Sequence, residues 1–115
     1  MKRETQATSD EQLFARVTER LVAAIRPEKI IAFGSRAKGD ARPDSDLDLL
    51  VVEDRGGSLG ERGVRVRRAL GGLGVPLDLI VQTPTEFEQM RRWRSSISAI
   101  AEREGRVLYD RARAA

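Results

Sequence analysis

The spacing of three short apolar runs constrains the fold of this 115-residue chain more than any other feature. Each run has the length of a buried strand, and each is bounded by glycine, proline or acidic residues. A loop rich in glycine, arginine, aspartate and proline, residues 34–45, separates the first two runs, and a segment with apolar residues at helical spacing separates the second run from the third. The sequence therefore predicts strands at residues 30–33, 47–52 and 75–81, with helices before the first strand, between the second and third, and after the third.

The helix boundaries are predicted from capping signals. Ser9 and Gln12 fit a capping box at the start of the first helix, and Pro27 ends it. Residues 61–70 form a second helical pattern, which a glycine cluster terminates. Thr83, followed by Pro84 and Glu86, begins a third helix that we expect to run unbroken to Glu104.

This order of elements defines the fold class. After Gly105, residues 106–109 are expected to add an edge strand. The predicted fold is α/β, a small mixed β-sheet of three to four strands with helices packed on it. The length predicts one domain, residues 1–115.

Composition excludes several classes of protein. The chain contains no cysteine, which excludes a disulfide scaffold and a thiolate zinc site, and no histidine, so a general base must be a carboxylate, a perturbed lysine or a metal-bound group. No apolar stretch approaches the ~20 residues of a membrane span, and no signal peptide is recognisable. We therefore expect a cytoplasmic protein. Net charge is +3, and 18 of the 21 basic residues are arginine, a weak indication of nucleic-acid binding.

Two aspartates at the entry of the second strand are candidate metal ligands. Asp46 and Asp48 are two positions apart, so their side chains point to the same face, whereas Leu47, Leu49 and Val51 point to the core. Hard oxygen donors without histidine or cysteine favour magnesium, or else manganese. An Asp-x-Asp pair alone is more often a solvated strand entry.

A third aspartate strengthens the hypothesis of a metal site. Asp78 interrupts the apolar run 75–81, which we expect to be a central strand next to the one carrying Asp46 and Asp48. A buried carboxylate there requires a partner, either a cation bound between the three acidic groups or an arginine such as Arg36 or Arg42. We expect the three carboxylates to meet at one point beside the turn that begins at Gly34.

That turn is a candidate phosphate site. Gly34, directly after a strand, allows close backbone approach to a ligand, and the Ser35 hydroxyl and nearby amides can donate to phosphate oxygens. Arg36, Lys38 and Arg42 add positive charge. Taken alone, a Gly-Ser pair is an ordinary strand-ending turn.

Together these features resemble a known family. In chain order they are Gly34-Ser35, the Ala37 and Gly39 pair, Ser45-Asp46-Leu47-Asp48 and the later strand residue Asp78. The pattern resembles the polymerase-β-like nucleotidyltransferase superfamily, and more closely its minimal, MNT-type prokaryotic members. The resemblance covers nearly the whole chain.

The resemblance implies roles for these residues. Asp46 and Asp48 would bind two Mg²⁺ ions that bridge a nucleoside triphosphate, and Asp78 would ligate one metal and promote deprotonation of an acceptor hydroxyl. Gly34 and Ser35 would hold the β- and γ-phosphates of ATP or another NTP. The further nucleotide-binding candidates are Arg36, Lys38 and Ser45.

The resemblance also implies a partner. Larger relatives carry a module for the acceptor that is not recognised here, so the acceptor site would come from a homodimer mate or a hetero-oligomeric partner. Minimal members often act as antitoxins that attach AMP to a hydroxyl of a HEPN-domain toxin. The stripe of Met90, Trp93, Ile97 and Ile100 is either core or the partner face, and core is the commoner meaning of such a stripe.

Three other functions remain open. The first is a non-catalytic antitoxin that binds its partner, with or without nucleotide. The second is a basic nucleic-acid-binding domain, although a solvated helix face explains its arginines equally well. These are Arg65, Arg67, Arg68, Arg91, Arg92 and Arg94. The third is modification of a small molecule, for which no acceptor pocket is evident.

Overall fold

The structure is a computed structural model that describes the backbone of residues 2–114 and the side chains of residues 10–114. Each of the three apolar runs contains a strand, with helices before, between and after them. The elements are α1 (Lys2–Ile25), β1 (Lys29–Phe33), α2 (Gly34–Lys38), β2 (Leu47–Val52), α3 (Leu59–Leu70), β3 (Leu77–Gln82), α4 (Pro84–Met90), α5 (Ile97–Glu104), β4 (Arg106–Asp110) and α6 (Arg111–Ala114).

The strands form one mixed sheet in the order β3-β2-β1-β4. β1 pairs antiparallel with both β2 and β4, whereas β2 and β3 are parallel. This confirms the predicted α/β class and the small mixed sheet. Within residues 2–114, no helix combines the length and the apolar character that crossing a membrane requires.

The two faces of the sheet have separate cores. On one face, Leu47, Leu49 and Val51 of β2 are fully buried in a cluster with residues of α1 and α3. On the other face, Leu50 and Val52 lie in a smaller cluster whose members include Phe87 and Ala101. Asp48 lies on this second face, because side chains alternate along a strand.

Two predicted helix boundaries are wrong. α1 already begins at Lys2, so Ser9 lies inside the helix and not at its N-cap. The long helix predicted from Thr83 is divided into α4 and α5. The Ser96 hydroxyl donates to the Met90 carbonyl at 2.5 Å and also accepts from the Ala99 amide, so it ends one helix and caps the next.

The prediction of a central third strand is also wrong. β3 lies beside β2 as expected, but at the edge of the sheet. The chain leaves β3 through α4 and α5 and returns as β4 beside β1, which leaves β1 and β2 in the centre. Asp78 is consequently exposed and not buried.

Candidate active site

Three strands bring the predicted site residues to one level of the sheet. Phe33, the last residue of β1, is paired with Asp48 of β2, and Asp48 is paired with Asp78 of β3. Gly34 follows Phe33 directly and begins α2. The start of α2 and the two aspartates are therefore neighbours because of strand register alone.

Asp48 is under electrostatic strain. Partial burial raises the pKa of its carboxyl, and the negative charges of Asp78 and Asp46 raise it further, as does a hydrogen bond with Asp78. No arginine or lysine forms an ion pair with any of these three aspartates among the side chains of residues 10–114. The arginine partner considered for Asp78 is thus not found in this part of the chain.

The expected meeting of three carboxylates is realised for two of them. Asp48 and Asp78 are paired across the β2–β3 ladder, whereas exposed Asp46 acts on Asp48 through its charge from the residue before the strand. Within the described residues, no group of three acidic side chains is already arranged around one point. The site is therefore an acidic pair with a third carboxylate beside it.

Gly34 packs against the Asp48 carboxylate. Its φ is +74°, and a Cβ atom at this position would overlap Asp48 Oδ2 and lie 3.1 Å from Asp48 Cγ. Only glycine satisfies both the left-handed backbone and this close approach. The backbone at the start of α2 thus lies directly beside the acidic pair.

The segment predicted as a turn is a short helix. Its N-cap residue, Phe33, provides no side-chain hydrogen bond to the first turn. Backbone amides at a helix start without a cap favour an anion. Ser35 is half-buried in this turn. Lys38 is exposed at the end of α2, and its Nζ lies 3.7 Å from Glu104 Oε1.

Arg36 has a different environment from the one its predicted nucleotide-binding role requires. It is only 4% exposed, and its guanidinium bonds within the protein. Nη1 donates to Asp10 at 2.6 Å, Nη2 donates to the carbonyls of Pro43 and Ser45, and Nε also donates to Ser45. With all three nitrogens engaged, Arg36 does not fit a phosphate ligand.

Asp10 is the site residue that sequence reasoning missed. The available signal was its place at the start of an apolar helical stripe, because a carboxylate that such a helix buries, as the structure shows for Asp10, needs a partner. Ser45, also predicted to bind nucleotide, closes a local turn: its hydroxyl accepts from the Arg42 amide at 2.8 Å.

Comparison with known proteins identifies the family. The model of a nucleotidyltransferase domain matches residues 12–107. The chain belongs to the nucleotidyltransferase family.

Two similar proteins agree with this assignment. A Methanocaldococcus jannaschii protein, described as "Putative protein adenylyltransferase", is 34% identical over 84 residues, which cover 73% of this chain and 80% of that protein. A crystal structure described as "a putative nucleotidyltransferase from Sulfolobus solfataricus" matches with a TM-score of 0.63 at 22% identity, covering 91% and 86% of the two chains. The second similarity shows a shared fold. The family match and the first relative make this chain a transferase.

Divalent metals are general cofactors of nucleotidyltransferases, and the donor set here fits one. The candidate ligands are carboxylates, the hard donors that magnesium and manganese prefer. Partial burial, followed by the charges of Asp78 and Asp46, raises the pKa of Asp48, and a cation bound there would favour the ionised carboxylate. Metal binding to Asp46, Asp48 and Asp78 remains a prediction.

Proposed function

We propose that this nucleotidyltransferase transfers AMP from ATP to a hydroxyl group on a partner protein, with Mg²⁺ as its cofactor. The observation that carries the proposal is that Asp48 and Asp78 are paired across the β2–β3 ladder and that Gly34 packs against the Asp48 carboxylate. It joins an acidic pair suited to a metal with a helix start suited to phosphate. Transfer of a nucleotide from a triphosphate needs both.

The triphosphate would bind at the start of α2. The amides that follow Phe33 and the Ser35 hydroxyl would donate to the β- and γ-phosphate oxygens. Lys38 adds an exposed cation at the other end of the same short helix. Arg36 and Ser45 are better understood as residues that shape the loop before Asp46, because their polar groups bond within the protein.

Asp46 and Asp48 would hold Mg²⁺, with Asp78 contributing to one ion. When bound, the metal neutralises charge on the phosphates and on the attacking and leaving oxygens. The acceptor oxygen attacks the α-phosphorus, the bond from that phosphorus to the bridging oxygen breaks, and pyrophosphate leaves. Asp78 takes the proton of the acceptor hydroxyl, which its exposure at the sheet edge permits.

A protein acceptor is supported by the relative described as a protein adenylyltransferase. The proposed partner is a HEPN-domain toxin, which this chain would neutralise as an antitoxin in a hetero-oligomer. Trp93 offers a contact surface for it, since the side chain is 66% exposed, whereas Phe87 of the preceding helix α4 is buried. The stripe is therefore not wholly core.

The experiment is incubation with ATP, Mg²⁺ and the product of the adjacent gene, followed by intact mass measurement. The expected result is the added mass of AMP on the partner and none with the Asp46→Ala/Asp48→Ala variant. Neutralisation of the toxin by a folded double variant would instead support the non-catalytic antitoxin. Unmodified partner with every NTP tested would overturn AMP transfer.

A nucleic-acid-binding function is less well supported. Two arginines of the proposed basic surface are engaged elsewhere: Arg65 pairs with Glu53, and Arg91 bridges Glu88 and Glu102. A binding constant for single-stranded RNA or duplex DNA that falls steeply with salt would revive this function.

A further inference from the structure

We infer that Arg36 and Asp10 are positioning residues that hold the 39–46 segment, and with it Asp46, in the geometry for metal binding. The 39–46 segment is the loop between α2 and β2. The inference rests on the proposed metal-dependent function and assigns to two buried residues a role that does not involve contact with nucleotide.

Arg36 grips the segment at its end nearest the site. Its Nε and Nη2 atoms donate to the Ser45 carbonyl at 3.1 and 2.7 Å, and Nη2 also donates to the Pro43 carbonyl at 2.9 Å. The peptide that follows Ser45 leads directly into Asp46. A planar guanidinium bound at two carbonyls fixes their orientation as well as their distance.

Asp10 connects this grip to the body of the fold. Its carboxylate accepts from Arg36 Nη1 at 2.6 Å, and the residue is 8% exposed. Asp10 lies on α1, which the buried side chains Leu13, Phe14 and Val17 attach to the sheet. Asp10 also balances a buried cation that would otherwise lie unpaired near the acidic site.

Among the side chains of residues 10–114, the other polar contacts of the segment are local. Arg42 and Ser45 bond to each other, and the Asp40 amide donates to the Ser35 carbonyl. These contacts shape the loop without tying its far end to the core, and the buried methyl group of Ala41 adds an apolar anchor at its middle. The polar link from residues 43–45 to the body of the protein is thus made by Arg36.

Asp46 depends on this link more than the other two aspartates do. Asp48 and Asp78 lie within β2 and β3, whose ladder fixes them. Asp46 is exposed and precedes β2, so the loop determines where its carboxylate lies. Residues that orient a metal ligand in this way change metal affinity by about 10- to 100-fold when altered.

The test compares Arg36→Lys and Asp10→Asn with a matched control, Arg62→Lys. Arg62 is likewise buried, at 5% exposure, and donates to the Gly57 carbonyl and to Glu86. Its Nη1 also donates to the Val81 carbonyl of β3, and Val81 is paired with Val51, near the opposite end of β2 from Asp48. Lysine keeps the positive charge at either position but cannot donate to several acceptors in the fixed geometry of the planar guanidinium.

Two readouts need no transfer activity. The first is Mn²⁺ affinity, measured by electron paramagnetic resonance with a non-transferable ATP analogue. The second is amide hydrogen exchange of peptides covering residues 39–46. We expect Arg36→Lys and Asp10→Asn to weaken Mn²⁺ binding by about tenfold and to accelerate exchange in that segment. Arg62→Lys should change neither.

Activity adds a third readout, because the two site variants should need more Mg²⁺ for half-maximal transfer. Unchanged exchange at 39–46 in both site variants would overturn the inference whether or not the wild type transfers nucleotide. An equal loss of Mn²⁺ affinity in Arg62→Lys would also overturn it. Absence of both metal binding and transfer in the wild type would instead refute the proposed function. If Arg36→Lys does not fold, Asp10→Asn supplies the same readouts while keeping the Arg36 guanidinium.

Discussion

The two ends of strand β2 differ in whether their acidic side chains are paired with a positive charge. At its start, Asp48 faces Asp78 with a raised pKa, and no ion pair to a described arginine or lysine relieves the repulsion. Just past its other end, Glu53 is 1% exposed and ion-paired with Arg65. Nearby, Glu86 pairs with buried Arg62 at 2.5 Å.

The contrast separates stability from function. The chain has 18 arginines, so a cation for Asp48 was available in composition. At the Glu53 end, each buried charge has an opposite charge beside it, which limits the cost of desolvation. At the Asp48 end, acidic groups are held together without such a partner, an arrangement that favours a functional site.

Asp48→Asn should produce the largest effect on activity. We expect AMP transfer to fall by roughly a thousandfold, because a metal ligand is lost. Stability at neutral pH should not fall, since the substitution removes repulsion. Transfer kinetics and urea unfolding measure the two quantities. A destabilised variant with unimpaired transfer would reverse the roles of the two ends.

Asp78→Asn should reduce transfer by about a hundredfold or more while leaving much of ATP binding intact. The amide keeps the size of the side chain but cannot accept the proton of the acceptor hydroxyl. Single-turnover kinetics and calorimetric titration with ATP separate the two effects. Transfer at the wild-type rate would remove Asp78 from the mechanism.

Glu53→Gln should act on stability instead. It leaves Arg65, whose side chain is 23% exposed, without its charged partner. We expect the free energy of unfolding to fall by about 2 kcal/mol, below the usual cost of breaking a fully buried pair because water reaches Arg65. Transfer per folded molecule should match wild type. A loss of transfer in fully folded protein would contradict the separation of the two ends.

The smallest effect should be a pH dependence of stability at the Asp48 end. Because the folded-state pKa of Asp48 is raised above its ordinary value of 3.8, the folded protein binds the proton more tightly. The contribution of Asp48 to the free energy of unfolding therefore falls as pH rises from about 4 through the folded-state pKa, and above that pH it stays constant. Unfolding of wild type and Asp48→Asn, followed over this range, should show their stability difference moving in favour of Asn. Added Mg²⁺ should oppose that trend, and a difference independent of pH would contradict the assigned strain.

Local patterns of the sequence predicted much of the fold. The run 47–52 corresponds to β2 residue for residue, and its alternation placed Leu47 and Leu49 in the core. The Thr83 capping box is present, with Glu86 as its second member. These features depend on neighbouring residues, so sequence spacing contains them.

Features that depend on distant contacts were not predictable in this way. β3 lies at the edge because β4 pairs with β1 and not with β3, and the apolar run at 75–81 contains no information about that pairing. The partner of Arg36 is Asp10, 26 residues away, and nothing in the turn distinguishes a phosphate-binding arginine from a buried one. For the candidate site, the sequence proposed the acidic residues but gave no sign of the buried Arg36–Asp10 pair beside them.

The edge position of β3 has a consequence for fidelity. Among residues 2–114, no strand lies beyond Asp78, so the site is open sideways to the solvent. Water can then approach from the same direction as the acceptor and compete with it for the nucleotide. On the proposed function, a docked partner would act as both recipient and shield, and wasteful hydrolysis of ATP should decline when the two proteins associate.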